Sequence, residues 1–114
     1  MTYAYKIVSR QEWDAAVSAG VFQGAAIDLE DGYIHLSTAA QARETARRHF
    51  AGRKGLVLVR LDTARLGPAL KWEPSRGGQL FPHLYAPLDP ALAEAVTPIP
   101  LAADGTPQLG DLPP

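Results

Sequence analysis

The chain contains no cysteine, and this absence excludes several kinds of chemistry. Disulfide cross-links, thiolate nucleophiles, iron–sulfur clusters and cysteine-type zinc sites all require that residue. A chain of 114 residues is nevertheless long enough to bury a substantial apolar core. We therefore expect it to fold as one domain without metal or disulfide support, in a manner compatible with a reducing compartment.

Long hydrophobic runs and an excess of one charge are also missing. No apolar stretch reaches the length of a membrane span, and the start Met1-Thr2-Tyr3 lacks the basic and apolar regions of a signal peptide. Lys and Arg together number 11 and Asp and Glu 12, which gives a net charge of -1. We expect a cytoplasmic protein that binds neither membranes nor duplex nucleic acid. The sequence identifies no protein partner.

The hydrophobic patterns that are present predict a compact, single α+β domain. Two helices are expected, each opened by a capping box, which is Ser9 with Glu12 in the first and Thr38 with Gln41 in the second. Residues 21–32 show no clear period and are predicted to form a loop. The domain is expected to span 1–102, and 103–114 are expected to form a turn and tail packed on it or trailing from it. Strand patterns cover 3–8, 33–37, 55–62, 70–73, 81–85 and 95–101.

Residues 31–38, Asp-Gly-Tyr-Ile-His-Leu-Ser-Thr, are the strongest candidate for a functional site. The alternation turns two apolar residues towards the core and turns Tyr33, His35 and Ser37 to the other face. Thr38 then begins the second helix, so this strand ends beside unpaired helix amides. Such amides favour an anion. The segment therefore predicts a site but does not identify its ligand.

A second polar face is expected further along the chain. Ser75, Arg76, Gly77 and Gly78 form a tight loop in which the glycines can expose amides and the arginine can grip a phosphate or carboxylate. The alternative is a plain hairpin turn with a solvated arginine. The following strand places Phe81, His83 and Tyr85 on one face.

Each histidine also has a structural interpretation. His35 and His83 can be buried side chains hydrogen-bonded between strands, and the ligand-site hypothesis gains if both face one cleft. His49, near the end of the second helix, is interpreted as structural or capping. A metal site from the first two histidines with Asp28 or Glu73 has no diagnostic spacing, so no metal is predicted.

Several segments in one order resemble a known family. They are Phe-Gln-Gly at 22–24, the whole of 31–38, Gln41, His-Phe-Ala-Gly at 49–52, and 72–85 from Trp-Glu through Arg-Gly-Gly to Phe-Pro-His-Leu-Tyr. Over residues 5–101 the chain resembles the small bacterial family of domain of unknown function 952. That family has no established activity. Its fold is similar to that of the ADP-ribosyltransferases, which implies a split, mainly antiparallel sheet that clasps a nicotinamide dinucleotide in the enzymes.

The resemblance also implies roles for particular residues. Tyr-Ile-His-Leu-Ser is similar to the histidine-bearing strand of the RNA 2′-phosphotransferases, which implies that His35 touches a ribose or phosphate. Glu73 is then the candidate acid that orients a ribose or acceptor, and these two residues are the catalytic candidates. NAD is expected as a substrate. The candidate ligand-binding residues are Tyr33, Ser37, Thr38, Ser75, Arg76, Gly77, Gly78, Phe81, His83 and Tyr85.

Three functional hypotheses remain open. The first is a cleft for a nucleotide of the NAD or ADP-ribose type that acts as an ADP-ribosyl or related transferase. The second is a non-catalytic module that binds a nucleotide or small anion, and the third is a protein-interaction domain. A side chain of Glu73 that points into the cleft favours the transferase hypothesis over the non-catalytic module. The ligand-site hypothesis requires Tyr33, His35, Arg76, His83 and Tyr85 to share one pocket.

Overall fold

Two small antiparallel sheets and three helices make up the fold in the computed structural model, which describes all 114 residues. The sheets have the strand orders β1-β3-β6 and β2-β5-β4, and every strand pair is antiparallel. This confirms the predicted α+β class and the split sheet. The helices are α1 (Arg10–Ala19), α2 (Ala26–Asp31) and α3 (Ala39–His49). The strands are β1 (Tyr3–Ser9), β2 (Ile34–His35), β3 (Leu56–Asp62), β4 (Leu70–Pro74), β5 (Leu80–Leu84) and β6 (Ala93–Ile99).

The central strand of the first sheet is β3, as its continuous apolar run predicts. Val57, Val59 and Leu61 are fully buried and pack into one core, while Leu56 and Leu58 pack into a second core on the opposite face. A strand covered on both faces needs no alternation of apolar and polar residues. The first core joins the two sheets with α1, and the second lies under α3.

The C-terminal tail packs on the second core rather than trailing from the domain. Leu109 is buried in that core and Leu112 packs against it. The hydroxyl of Tyr5, on β1, donates a hydrogen bond to the carbonyl of Pro113. The tail therefore covers the apolar surface that α3 leaves open.

Each predicted capping pair forms one capping hydrogen bond. The amide of Glu12 donates to the hydroxyl of Ser9 at 3.0 Å, and the amide of Thr38 donates to Oε1 of Gln41, also at 3.0 Å. Gly20 ends α1 in the left-handed region, with φ of 78°, a conformation that glycine adopts without strain. These short-range signals correctly placed the start of both predicted helices.

The loop predicted over 21–32 was wrong, because it contains helix α2. Ile27 and Leu29 are exposed, so this helix shows no apolar stripe in the sequence. Its inward-facing residue is instead the buried carboxylate of Asp28, which accepts a hydrogen bond from the amide of Ala25 at 2.8 Å. Gly32 ends the helix with φ of 89°.

Smaller corrections concern strand ends. The last strand was predicted over 95–101 and spans Ala93–Ile99, and Tyr85 lies just beyond β5 instead of within it. None of the three helices combines the length and the apolarity that crossing a membrane requires.

We expect Leu61→Ala to lower the free energy of unfolding by about 2–5 kcal/mol, because it opens a cavity in a fully buried site of the central strand. Leu29→Ala is the matched control, since that leucine is 64% exposed, and it should change stability by less than about 0.5 kcal/mol. Urea unfolding measures both. Equal losses in the two variants would contradict this placement of the core.

Candidate functional site

Two histidines face each other across neighbouring strands. His35 on β2 is the direct partner of His83 on β5, and the ring centres are 5.7 Å apart. The backbone bond between the strands runs from Leu36 to Pro82, so the histidines form a non-hydrogen-bonded pair, the type whose side chains lie closest. The strand register therefore places two imidazoles on one face of the second sheet.

The carboxylate of Asp28 is the buried anchor of this region. Its side chain is fully buried and accepts hydrogen bonds from the amide of His35 at 3.0 Å and from the Nδ1 of the same residue at 2.6 Å. The Nζ of Lys6 lies 2.8 Å from Oδ2 and 3.1 Å from Oδ1. Both oxygens are thus satisfied, as a buried charge requires.

The pKa of Asp28 shows which effect dominates. Burial alone raises this pKa, but the hydrogen bond from the His35 side chain and the charge of Lys6 outweigh burial and hold the pKa at about 2. For Lys6, burial lowers the pKa despite the nearby carboxylate. The buried pair therefore keeps Asp28 ionised and orients the imidazole of His35.

Each imidazole is held by a carboxylate at Nδ1. Nδ1 of His83 donates to Oε1 of Glu73 at 2.8 Å, and the hydroxyl of Tyr85 donates to the same oxygen at 2.7 Å. The bond from Tyr85, followed by that from His83, lowers the pKa of Glu73, and Glu73 raises the pKa of Tyr85 to about 12. The Nε2 of His35 lies 2.9 Å from Oδ2 of Asp31, while the Nε2 of His83 has no protein partner.

A pocket of about 460 Å³ opens beside these rings, and all three histidines of the chain line it. It also contains two arginines, Arg53 and Arg76, and no carboxylate side chain lines it. Neither arginine forms an ion pair. The lining residues are Tyr5, Lys6, Ile7, Ile27, His35, Leu36, Ser37, Thr45, His49, Phe50, Arg53, Ser75, Arg76, Phe81 and His83.

Aromatic rings hold both arginines in place. The guanidinium of Arg76 lies 5.0 Å from the ring centre of Phe81, and its Nη1 donates to Oγ1 of Thr45 at 3.3 Å. The guanidinium of Arg53 lies 5.0 Å from the ring centre of Phe50. Such stacking orders the side chain while its donors remain free for a ligand.

Half of the predicted site residues do not line this pocket. Those that do are His35, Ser37, Ser75, Arg76, Phe81 and His83, and those that do not are Tyr33, Thr38, Glu73, Gly77, Gly78 and Tyr85. The expectation that five named residues share one pocket was therefore wrong for Tyr33 and Tyr85. The ligand-site hypothesis fails in that form, and the pocket retains only His35, Arg76 and His83 of the five.

The residues outside the pocket support those within it. The ring of Tyr33 packs edge-on against His35 and His83, with centres 4.5 and 4.2 Å away. Thr38 caps α3, and Gly77 and Gly78 adopt positive φ in the turn between β4 and β5, where the amide of Gly78 closes the turn on the carbonyl of Ser75. The amide of Gly78 therefore serves the hairpin.

Several pocket residues escaped the sequence interpretation. Lys6 could have been recognised from the sequence, because a lysine inside a buried strand needs a partner of opposite charge. Its partner, Asp28, could not, because it is 22 residues away. Nothing local identified Arg53. His49, interpreted as structural or capping, is exposed at the end of α3 and lines the pocket. No three His, Asp or Glu side chains are grouped as metal ligands.

Comparisons with known proteins identify a family and a relative of known structure. The model of the family described as protein of unknown function (DUF952) matches residues 7–97. The crystal structure of protein CC0527 from Caulobacter crescentus is 54% identical, with a TM-score of 0.94 and 96% of each chain covered. Its solution NMR structure, also 54% identical, has a TM-score of 0.87 and covers 97% of this chain and 96% of that one. No curated protein matches the chain.

We expect Asp28→Asn to lower the free energy of unfolding by about 3–5 kcal/mol near neutral pH, because it leaves Lys6 buried without its carboxylate. Asp31→Asn is the control, since this second acid on His35 is exposed and should change stability by less than about 0.5 kcal/mol. Urea unfolding measures both.

Wild type and Asp28→Asn are also expected to differ in how their stability depends on pH. The pKa of Asp28 is lowered from 3.8 to about 2 by folding, so its contribution is complete above 3.8 and is lost as pH falls towards 2. The stability difference between wild type and Asp28→Asn should therefore shrink over that interval. A difference that stays constant from pH 5 to pH 2, roughly the interval in which acid unfolding occurs, would contradict this assignment.

Proposed function

We propose that this chain, which belongs to the family of proteins of unknown function DUF952, binds a nucleotide of the NAD or ADP-ribose type in the pocket beside His35 and His83. The observation that carries the proposal is the charge of the lining. Arg53, Arg76 and three histidines line the pocket, and no carboxylate lines it. A pocket of this composition attracts an anion.

Phosphate groups fit the two arginines best. A guanidinium offers a planar fork of donors that matches two oxygens of a phosphate. Because Arg53 and Arg76 are stacked on aromatic rings and form no ion pair, a ligand does not have to break a salt bridge to reach them. The charge of Lys6 is already matched by Asp28, so the arginines supply the free positive charge.

The rest of the lining suits a nucleoside. Ser37, Thr45 and Ser75 offer hydroxyl groups for a ribose, and Phe50 and Phe81 offer apolar surface for a base. A volume of about 460 Å³ lies within the usual range of small-molecule sites, about 300–1,000 Å³. The split pair of antiparallel sheets supports the ADP-ribosyltransferase-like fold that accompanies this ligand class.

Glu73 favours binding over ADP-ribosyl transfer. An acid that polarises an acceptor has to face the ligand, and Glu73 does not line the pocket. Its Oε1 accepts hydrogen bonds from His83 and Tyr85 instead. We therefore assign Glu73 to positioning His83, and the proposed function is the binding of a nucleotide through its phosphates.

We expect ADP-ribose and NAD, each at about 100 times its Kd, to raise the thermal midpoint by roughly 10 °C, since such binding adds about 2.7 kcal/mol. Adenosine, which has no phosphate, should give no comparable shift. Arg76→Gln and Arg53→Gln should each remove most of the effect, whereas Arg65→Gln, exposed and outside the pocket, should retain it. Equal loss in all three variants, or no shift with either phosphate compound, would refute the proposal.

A further inference from the structure

The two histidines carry an inference that rests on the proposed binding of a nucleotide phosphate. We propose that the pocket catalyses phosphoryl transfer, in which the 2′-hydroxyl of a ribonucleotide attacks the adjacent phosphodiester. His83 is the general base and His35 the general acid. The substrate class is therefore a single-stranded ribonucleoside phosphodiester.

The hydrogen bonds of His83 suit a base. Its Nδ1 donates to Glu73, so the neutral ring holds its proton there and presents the lone pair of Nε2. This Nε2 has no protein partner, and the residue lines the pocket. The second hydrogen bond on Glu73, from Tyr85, fixes the acceptor that orients the ring.

The hydrogen bonds of His35 suit an acid. Nδ1 lies 2.6 Å from Asp28 and Nε2 lies 2.9 Å from Asp31, and only a protonated imidazole donates from both nitrogens. Asp28 is fully buried, whereas the side chain of Asp31 is 40% exposed at the end of α2. Asp31 does not line the pocket, and a phosphate oxygen reaches Nε2 of His35 only when this exposed carboxylate moves into solvent and the substrate replaces it.

The distance between the rings suits one phosphate. Their centres are 5.7 Å apart, and a proton-transferring group acts at about 3 Å from its partner. A phosphate that contacts the pocket-facing edges of both rings brings the attacking oxygen to His83 and the leaving oxygen to His35. Tyr33, which packs edge-on against both rings, holds this separation.

The charge of the pocket lining favours reaction at the phosphorus of a phosphate over reaction at the anomeric carbon of a sugar. Displacement at an anomeric carbon develops positive charge on the sugar ring and calls for a facing carboxylate. Phosphoryl transfer places negative charge on the equatorial oxygens and calls for cations. The pocket supplies Arg53 and Arg76. The three carboxylates that contact the histidines, those of Asp28, Asp31 and Glu73, lie outside its lining.

The step is balanced without any additional reactant. Nε2 of His83 takes the proton of the 2′-hydroxyl, the 2′ oxygen bonds to phosphorus, and the bond from phosphorus to the 5′ oxygen of the next nucleoside breaks. His35 donates the Nε2 proton to that 5′ oxygen. The products are a 2′,3′-cyclic phosphate and a free 5′-hydroxyl, and exchange with water restores both histidines.

The test uses the full chain with a mixed-sequence, single-stranded oligoribonucleotide and its 2′-deoxy counterpart. We expect mass spectrometry to show fragments that end in a 2′,3′-cyclic phosphate from the first substrate only. His83→Gln and His35→Gln should each lower the rate about 10²–10⁴-fold, whereas Arg65→Gln should not. Thermal midpoints and the shift with ADP-ribose show whether each variant is folded and still binds.

Each outcome has a defined meaning. Cleavage at equal rates by wild type and His83→Gln would overturn the inference, as would release of nicotinamide from NAD without phosphodiester cleavage. Absence of cleavage combined with a shift from ADP-ribose that depends on Arg76 would overturn the inference and leave the proposed function standing. Absence of both cleavage and any nucleotide shift would overturn both.

Discussion

A single buried carboxylate determines how three elements of this protein meet. Asp28 lies on α2, and its oxygens are shared between Lys6 of β1 and the backbone and ring of His35 on β2. An unpaired buried charge costs several kcal/mol, so the folded protein requires Asp28, Lys6 and His35 to be in contact at the same time. The position of α2, the rotation of one imidazole and one wall of the pocket thus follow from one requirement for charge compensation.

The second constraint is strand register. The strand β2 has only two residues, yet it decides whether His35 or its apolar neighbours face the pocket, because a shift by one residue exchanges the faces. Two further contacts secure it. Tyr5 and Ser37 exchange backbone hydrogen bonds of 2.8 and 2.9 Å, which also link the first sheet to the second. These bonds and the pairing with β5 together hold the register of a strand of two residues.

Features encoded within a few residues could be predicted from sequence, and features that depend on distant partners could not. Two features lie within a few neighbouring residues, namely the capping pairs at Ser9 and Thr38 and the apolar run of β3. They correctly identified the helix starts and the central strand. Helix α2 was missed because its inward residue is an acid whose partner lies 22 positions earlier. Likewise, Arg53 reaches the pocket only through tertiary packing, and Tyr33 shares a face with His35 without sharing its cavity.

The C-terminal tail bears on where this folding unit ends. The family match stops at residue 97, but Leu109 lies 6% exposed in the second core, and the hydroxyl of Tyr5 donates to the carbonyl of Pro113. Tyr5 also lines the pocket. A chain trimmed after residue 97 would therefore uncover the apolar side of α3 and free the Tyr5 side chain, which lines the pocket, from its partner. The physical unit that folds is therefore longer than the segment that the family model matches.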